Sequence, residues 1–132
     1  MIEKTRKKKK SKVLYSILDS IDEFIRDDRK NNGWVHDKTY SNKAYLRKSS
    51  RIINGNFVKV LDLASIEIAT RYQRKGFFND IVKHLHKNNP YQWLMIENTH
   101  NPIVVNYCEK RKFETFPHHQ ICYFLNKSSN LD

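Results

Sequence analysis

Apolar positions recur along the chain with two periods. Val13, Leu14, Ile17, Leu18, Ile21, Phe24 and Ile25 fall at helical spacing. They predict a helix over about residues 12–28, one face against a sheet and Ser11 as its N-cap. Asn31-Asn32-Gly33 ends it, and the polar, aperiodic residues 34–43 read as a loop. A β-hairpin follows. Residues 44–53 carry Tyr45, Leu46, Ile52 and Ile53, and Asn54-Gly55 supplies the two positive-φ positions of a type I′ turn. The next run, FVKVLDLASIEIA over 57–69, is long for one strand and predicts a bulge or bend near residues 62–65. The helical period then returns: Phe77, Phe78, Ile81, Val82 and Leu85 predict a helix over 77–88, stopped by Asn88-Asn89-Pro90. Trp93-Leu94-Met95-Ile96 reads as a short buried strand. Pro102 suits the first turn of a helix running to about Lys112, and residues 120–125 (QICYFL) read as a last strand.

A strand–helix–strand unit in the middle requires a parallel pair with a right-handed crossover. The remaining strands read as antiparallel, so the fold class is α/β with a mixed sheet. At 132 residues the chain builds one core and not two. That core is expected over residues 13–126, between a basic, flexible segment 1–12 and a polar tail 127–132.

Composition narrows the class. Apolar residues make up 39% and charged residues 30%, which suits a soluble globular protein. No apolar run approaches the ~20 residues that span a bilayer, and the N-terminus has no apolar core like that of a signal peptide. Two cysteines, Cys108 and Cys122, are too few for a disulfide framework. These features place the protein in the cytoplasm, the nucleus or, for a virus protein, the host-cell cytoplasm, without a membrane partner. The net charge of +11 is uneven: +6 of it lies in residues 1–12, where Lys4, Arg6, Lys7, Lys8, Lys9, Lys10 and Lys12 face Glu3 alone. Such a run is either a solvated tail or a contact for nucleic-acid phosphates.

The candidate chemistry lies at residues 64–78. A strand passes through Thr70-Arg71-Tyr72-Gln73-Arg74-Lys75-Gly76 into a helix. Free N–H groups at the helix start, the positive end of its dipole, a glycine that permits close approach and three cations suit a phosphate. By themselves these features also describe an ordinary helix entry with exposed cations. No C-x-x-C or H-x-x-x-H spacing is present, so no metal site is expected. Trp34, Tyr40, Tyr45 and Tyr91, interleaved with Lys and Arg, could stack on bases or simply line the core and its rim.

Gln73-Arg74-Lys75-Gly76-Phe77-Phe78 resembles the Q/R-x-x-G-x-G/A loop of the GNAT superfamily of N-acetyltransferases, with Phe78 where a small residue is usual. NPIVVNYCEKRKF, from Asn101 to Phe113, resembles that family's second signature. Asn101 and Phe113 keep its spacing. Cys108 stands seven positions after Asn101, where a tyrosine is usual, and Lys112 replaces the glycine before Phe113. The strand LDLASIEI and the segment E-N-x-x-N-P are also similar to short phage and viral acetyltransferase-like sequences.

The resemblance implies a mostly antiparallel twisted sheet, flanked by helices, with a central parallel pair splayed in a V. It implies acetyl-CoA as acyl donor and direct transfer to a primary amine, with no metal. Ile68, Ala69 and Thr70 would meet the pantetheine arm and the thioester carbonyl. Gln73, Arg74, Lys75, Gly76, Phe77 and Phe78 would hold the pyrophosphate, and Asn101 would reach the pantetheine or a positioning water. Glu67 and Glu97 are candidate bases, although Glu67 also reads as a half-exposed strand carboxylate. Protonation of the leaving thiolate stays open between Cys108, Tyr107 and no protein acid, and Cys108 also reads as a small core residue. The acceptor could be protein, RNA-linked or small-molecule. The competing expectation is an inactive GNAT-like module that binds nucleic acid or a host protein through its basic surface.

Overall fold

Two long antiparallel strands carry most of the sheet, and a short parallel strand joins their free side. The computed structural model describes residues 2–97, 100–119 and 122–131, with side chains from Lys12 onward. In chain order the elements are α1 (Ile2–Arg26), β1 (Asn32–His36), β2 (Lys43–Ile53), β3 (Asn56–Glu67), a 3₁₀ turn (Thr70–Tyr72), α2 (Phe77–Asn88), β4 (Trp93–Ile96), α3 (Pro102–Lys110), a second 3₁₀ turn (Pro117–His119) and β5 (Tyr123–Asn126). The sheet order is β1-β2-β3-β4-β5. Only β3 and β4 are parallel, and every other neighbouring pair is antiparallel. This is the mixed sheet that the period changes predict.

Most element types hold, and several boundaries move. Asn54 and Gly55 adopt φ of 51° and 79°, so the hairpin closes as a two-residue turn. The bulge falls inside the expected window: Tyr45 pairs with Ser65 but Leu46 pairs with Leu63, leaving Ala64 extra. The helix predicted over 12–28 begins at Ile2 and ends at Arg26. Asp27 ends it by accepting the Arg29 N–H at 3.0 Å, ahead of Asn31-Asn32-Gly33. The loop expected over 34–43 contains most of β1, which pairs with Lys43–Arg47. Val35 is that strand's one buried side chain, so its alternation is invisible without its partner. The last strand is Tyr123–Asn126; residues 120 and 121 of the expected strand lie outside the described residues.

The sheet buries its two faces differently. Ile17, Ile21 and Phe24 of α1, Ile81 and Leu85 of α2, and Val104 and Cys108 of α3 pack with Leu61, Leu63 and Leu94 in one large core. Among the described residues no α-helix contributes to the core of the opposite face. There Val60, Trp93, Met95, Cys122 and Phe124 form a second core, covered by Phe116.

The β1–β2 connection is braced by one buried carboxylate. Asp37 Oδ1 accepts the Thr39 N–H (2.7 Å) and Thr39 hydroxyl (2.6 Å), while Oδ2 accepts the Asn42 N–H (2.9 Å) and Nδ2–H (2.7 Å). Burial alone would raise this carboxyl, but hydrogen bonds from Thr39 and Asn42 outweigh it and hold it below the ordinary carboxylate value. Asn42 in turn accepts the Ala69 N–H at 2.8 Å, so the brace reaches the end of β3. Asp37→Ala should destabilise the fold by about 2–4 kcal/mol near neutral pH, because it orphans several buried donors. The folded-state pKa is depressed, so this contribution is present above the unfolded value near ~3.9 and fades as pH falls through the lower folded value. Urea unfolding at pH 7 and pH 3 should show the difference between wild type and variant shrinking at the lower pH.

Candidate functional site

Parallel pairing runs from Val60 opposite Trp93 to Leu63 opposite Ile96. Among the described residues the last bond across the seam is donated by the Glu97 N–H to the Leu63 carbonyl at 3.0 Å. Beyond it β3 continues to Glu67, paired among the described residues with β2 alone. A cavity of about 250 Å³ lies beside this diverging end, between the start of α2 and α3. Its wall includes Ile66, Ile68, Tyr72, Gln73, Arg74, Gly76, Phe77, Phe78, Asn79, Asn101, Ile103, Val104 and Tyr107.

The loop entering α2 is shaped by two left-handed residues, Arg74 (φ 61°) and Gly76 (φ 81°). Gly76 is the N-cap of α2 and brings no capping side chain to the first turn of the helix. Alternating hand in successive residues turns backbone N–H groups toward one point, a geometry that receives anions. The Gln73 side chain folds back and donates to the Ile68 carbonyl at 2.9 Å, tying the loop to the strand end. The Arg74 side chain is the cation on the cavity wall; the Arg71 guanidinium turns away to donate to Ser41 Oγ at 2.9 Å.

Among the residues singled out in the sequence, Ile68, Gln73, Arg74, Gly76, Phe77, Phe78, Asn101 and Tyr107 therefore converge on one cavity. Ala69, Thr70 and Lys75 stand outside its wall, and the Ala69 N–H is already donated to Asn42. Asn101 caps α3, its side chain accepting the Ile103 N–H at 2.9 Å, while remaining part of the wall. Glu67 points to the helix-free face, half-exposed, 3.4 Å from Lys43.

Tyr107 and Cys108 separate clearly. Cys108 is fully buried in the helix-side core. Tyr107 lines the cavity, donates its hydroxyl to Asn79 Oδ1 at 2.9 Å and meets the Phe78 ring edge-on at 4.9 Å. The Arg111 guanidinium lies 3.8 Å from its ring centre. Burial pushes both the Tyr107 phenol and the Cys108 thiol up to about 12, so both keep their protons near neutral pH. Only the phenol is on the wall.

Sequence reading missed Asp62, although a lone acid between Leu61 and Leu63 in an apolar strand is itself a signal. Asp62 is fully buried on the helix-free face, and apart from the Glu97 carboxyl neither of its oxygens has a hydrogen-bond partner among the described residues. Burial first, and the neighbouring Glu97 carboxyl second, raise it to about 8. Arg51 is 3.9 Å from Asp62 and 4.0 Å from Glu97, and Arg47 is 3.7 Å from Glu97. Among the described residues no group of His, Cys, Asp and Glu could hold a metal ion, and no helix is long and apolar enough to cross a membrane. The Asp62 carboxyl predicts a pH signature. The unfolded chain releases this proton near ~3.9 but the folded chain holds it to about 8, so stability falls as pH rises between them. Asp62→Asn removes that penalty. Its stabilisation over wild type should grow with pH to about 1–3 kcal/mol at pH 9, measured by urea unfolding at pH 5, 7 and 9.

No protein-family profile and no curated protein matches the sequence. Solved structures do. A mutant of the AtaT toxin bound to the C-terminus of the antitoxin AtaR and acetyl-CoA superposes with TM-score 0.54 at 14% identity, over 65% of this chain and 58% of that one. The KacTA–DNA complex gives 0.53 at 16% identity, again over 65% and 58%. A mutant of KacT gives 0.55 at 13% identity, over 83% of this chain and 82% of that one. The chain thus spans less than two thirds of the first two matched chains. The likeness shows that this chain has the fold of these toxins, with the diverging seam and its cavity as the candidate site.

Proposed function

We propose that this protein is an acetyl-CoA-dependent N-acetyltransferase that passes the acetyl group directly to a primary amine. One observation carries the reading: a single cavity extends from the left-handed turn at Arg74–Gly76, along the part of β3 that β4 leaves unpaired, to the Tyr107 side chain. Each stretch answers a different part of the donor. The turn and the α2 N-terminus suit the pyrophosphate, with Arg74 adding charge. The strand edge offers backbone groups to the amides of the pantetheine arm. The apolar wall of Ile66, Ile103 and Val104 suits its methylene portions. The cavity volume lies near the lower end for ligand sites, ~300 Å³, which fits the pantetheine and phosphates with the adenosine outside.

In the transfer, the amine lone pair attacks the thioester carbonyl carbon. The C–S bond then breaks, its electron pair leaves on the CoA sulfur, and the nitrogen gives up one proton to a neighbouring carboxylate or to water. Tyr107, protonated near neutral pH, donates a proton to that sulfur, while Asn79 orients the phenol. Cys108 serves packing. The acceptor comes from protein, RNA-linked or small-molecule amines, and the cationic segment 4–12 offers phosphate contacts to a nucleic-acid partner.

Calorimetry with acetyl-CoA tests the reading, and absence of binding sinks it. Arg74→Ala should weaken acetyl-CoA by about 5- to 10-fold, the loss of one charge-assisted contact. Tyr107→Phe should lower kcat at least ~10-fold, measured as CoA release across a panel of primary amines, with acetyl-CoA affinity unchanged within about twofold. Cys108→Ala should leave both parameters alone and destabilise the fold by about 1–2 kcal/mol. The opposite pattern between these two variants would return the proton donor to the thiol.

A further inference from the structure

Helix α1 has a buried and an exposed side. Ile17, Ile21 and Phe24 sit in the helix-side core. Away from it Lys12, Tyr15, Asp19 and Glu23 are exposed, Tyr15 by 64%. Steps of three, four and four residues keep these four in one stripe along the helix. Charge along α1 is split in two. Residues 1–12 carry +6, whereas residues 19–28 carry −4, with Asp19, Asp22, Glu23, Asp27 and Asp28 against Arg26. Residues 13–18 between them are uncharged. Beside this uncharged middle a groove of about 400 Å³ runs between α1 and α2, lined by Leu14, Tyr15 and Leu18 on one side and by Lys83 and Lys87 on the other. Nucleic-acid phosphates or an anionic membrane would match the basic half of α1 and be repelled by the acidic half. An acidic protein would leave the acidic half unmatched. A second α1 lying antiparallel matches both halves at once.

We propose that two copies of this chain pair through α1, antiparallel, about a two-fold axis beside Tyr15 and Ser16. In such an isologous contact every pair of facing residues occurs twice. With the axis there, Lys12 faces the partner's Asp19, and Asp19 faces the partner's Lys12. The same register sets Lys8 opposite the partner's Glu23. Tyr15 meets the partner's Tyr15 close to the axis, over the groove lined by Leu14 and Leu18. An aromatic anchor at the centre with charge pairs toward the rim is the layout of a specific interface. Helix α1 runs from Ile2 to Arg26, so an axis near its middle leaves the two helices overlapping over most of their length. The charge pairs are exposed, hence individually weak and screened by salt, and the dimer is salt-sensitive. Segment 4–12 can face either the partner's carboxylates or nucleic-acid phosphates, so those two contacts exclude each other. The pairing stands apart from the acetyltransferase reading, since no residue of α1 lines the candidate cofactor cavity.

Sedimentation equilibrium of the full chain tests this over a roughly hundredfold range of concentration, at ~50 mM and ~500 mM salt. Low salt should give a monomer–dimer equilibrium, and the higher salt should weaken it at least ~10-fold. Lys12→Asp or Asp19→Lys alone places like charges at two symmetry-related contacts. Each should raise the dimer dissociation constant at least ~10-fold. Mixing the two single variants restores opposite charges at both contacts, so the mixture should form a heterodimer within about threefold of the unaltered affinity. Both positions are exposed, and thermal melts should show each variant folded. A chain that stays monomeric at low salt overturns the proposal. Binding of oligouridylate by that monomer, lost on deleting residues 1–12, would assign the basic half to nucleic acid instead. A dimer that either charge reversal leaves intact, or that the mixture fails to restore, also overturns it, because the contact then lies elsewhere.

Discussion

The hydrogen bond from the Glu97 N–H to the Leu63 carbonyl, 3.0 Å long, is the last tie between the two parallel strands among the described residues. Up to it, β4 is a fully buried central strand. Past it, β3 keeps one neighbour instead of two, and its free backbone groups must find other partners. The fold meets that demand from a distance: Asn42, locked by Asp37, takes the Ala69 N–H, and the Gln73 side chain takes the Ile68 carbonyl. The bulge at Ala64 adds local twist at the same point and steers β3 away from β4. The cavity is thus a product of backbone accounting, its rim tied by Asn42, 27 residues from Ala69, and by Gln73, five residues from Ile68.

The same divergence divides the electrostatics. On the helix side the wall combines apolar side chains with one cation and the N-terminus of α2, which has no side-chain cap, an arrangement suited to a long, partly apolar anion. On the helix-free side the carboxyls of Asp62 and Glu97 sit close to two guanidinium groups. Negative charge on Asp62 is disfavoured by burial and by Glu97, and partly restored by Arg51 and Arg47. A fully apolar Val60–Met95 surface would be more stable, so this cluster is a local concession in the sheet's second core.

What the sequence disclosed depended on whether a signal was local. Gly76, the helix behind it and the Asn54-Gly55 turn are local, and each was legible from neighbouring residues. Strand β1 was not, because its single buried side chain, Val35, becomes meaningful only against α1 and β2. The start of α1 was hidden by a run of like charges, which speaks for repulsion and not for helix. Within the site, motif spacing drew in Asn101 and the Gln73–Phe78 loop but assigned Ala69 an N–H that Asn42 already holds. Asp62 was overlooked because its meaning lies in Glu97, thirty-five residues on and adjacent only through the parallel register.

The departures from the family pattern form one connected adjustment. One residue earlier on a helix means a rotation of about 100° and a shift of about 1.5 Å. A tyrosine at 107 instead of 108 therefore reaches the cavity from a different angle. Phe78, where a small residue is usual in the motif it resembles, packs edge-on against the Tyr107 ring. Asn79, the next residue on α2, accepts its hydroxyl, and Arg111 covers its outer face. Cys108 then falls inward, where a small side chain is needed. Lys112, standing where glycine is usual, still adopts φ of 57°, so the turn into Phe113 keeps its left-handed shape despite the side chain. Phe113 in turn packs against Tyr107 at 6.1 Å. The Tyr107 phenol is thus held at the cavity wall by a set of mutually supporting contacts, each of which looks like a defect when the motif is read one position at a time.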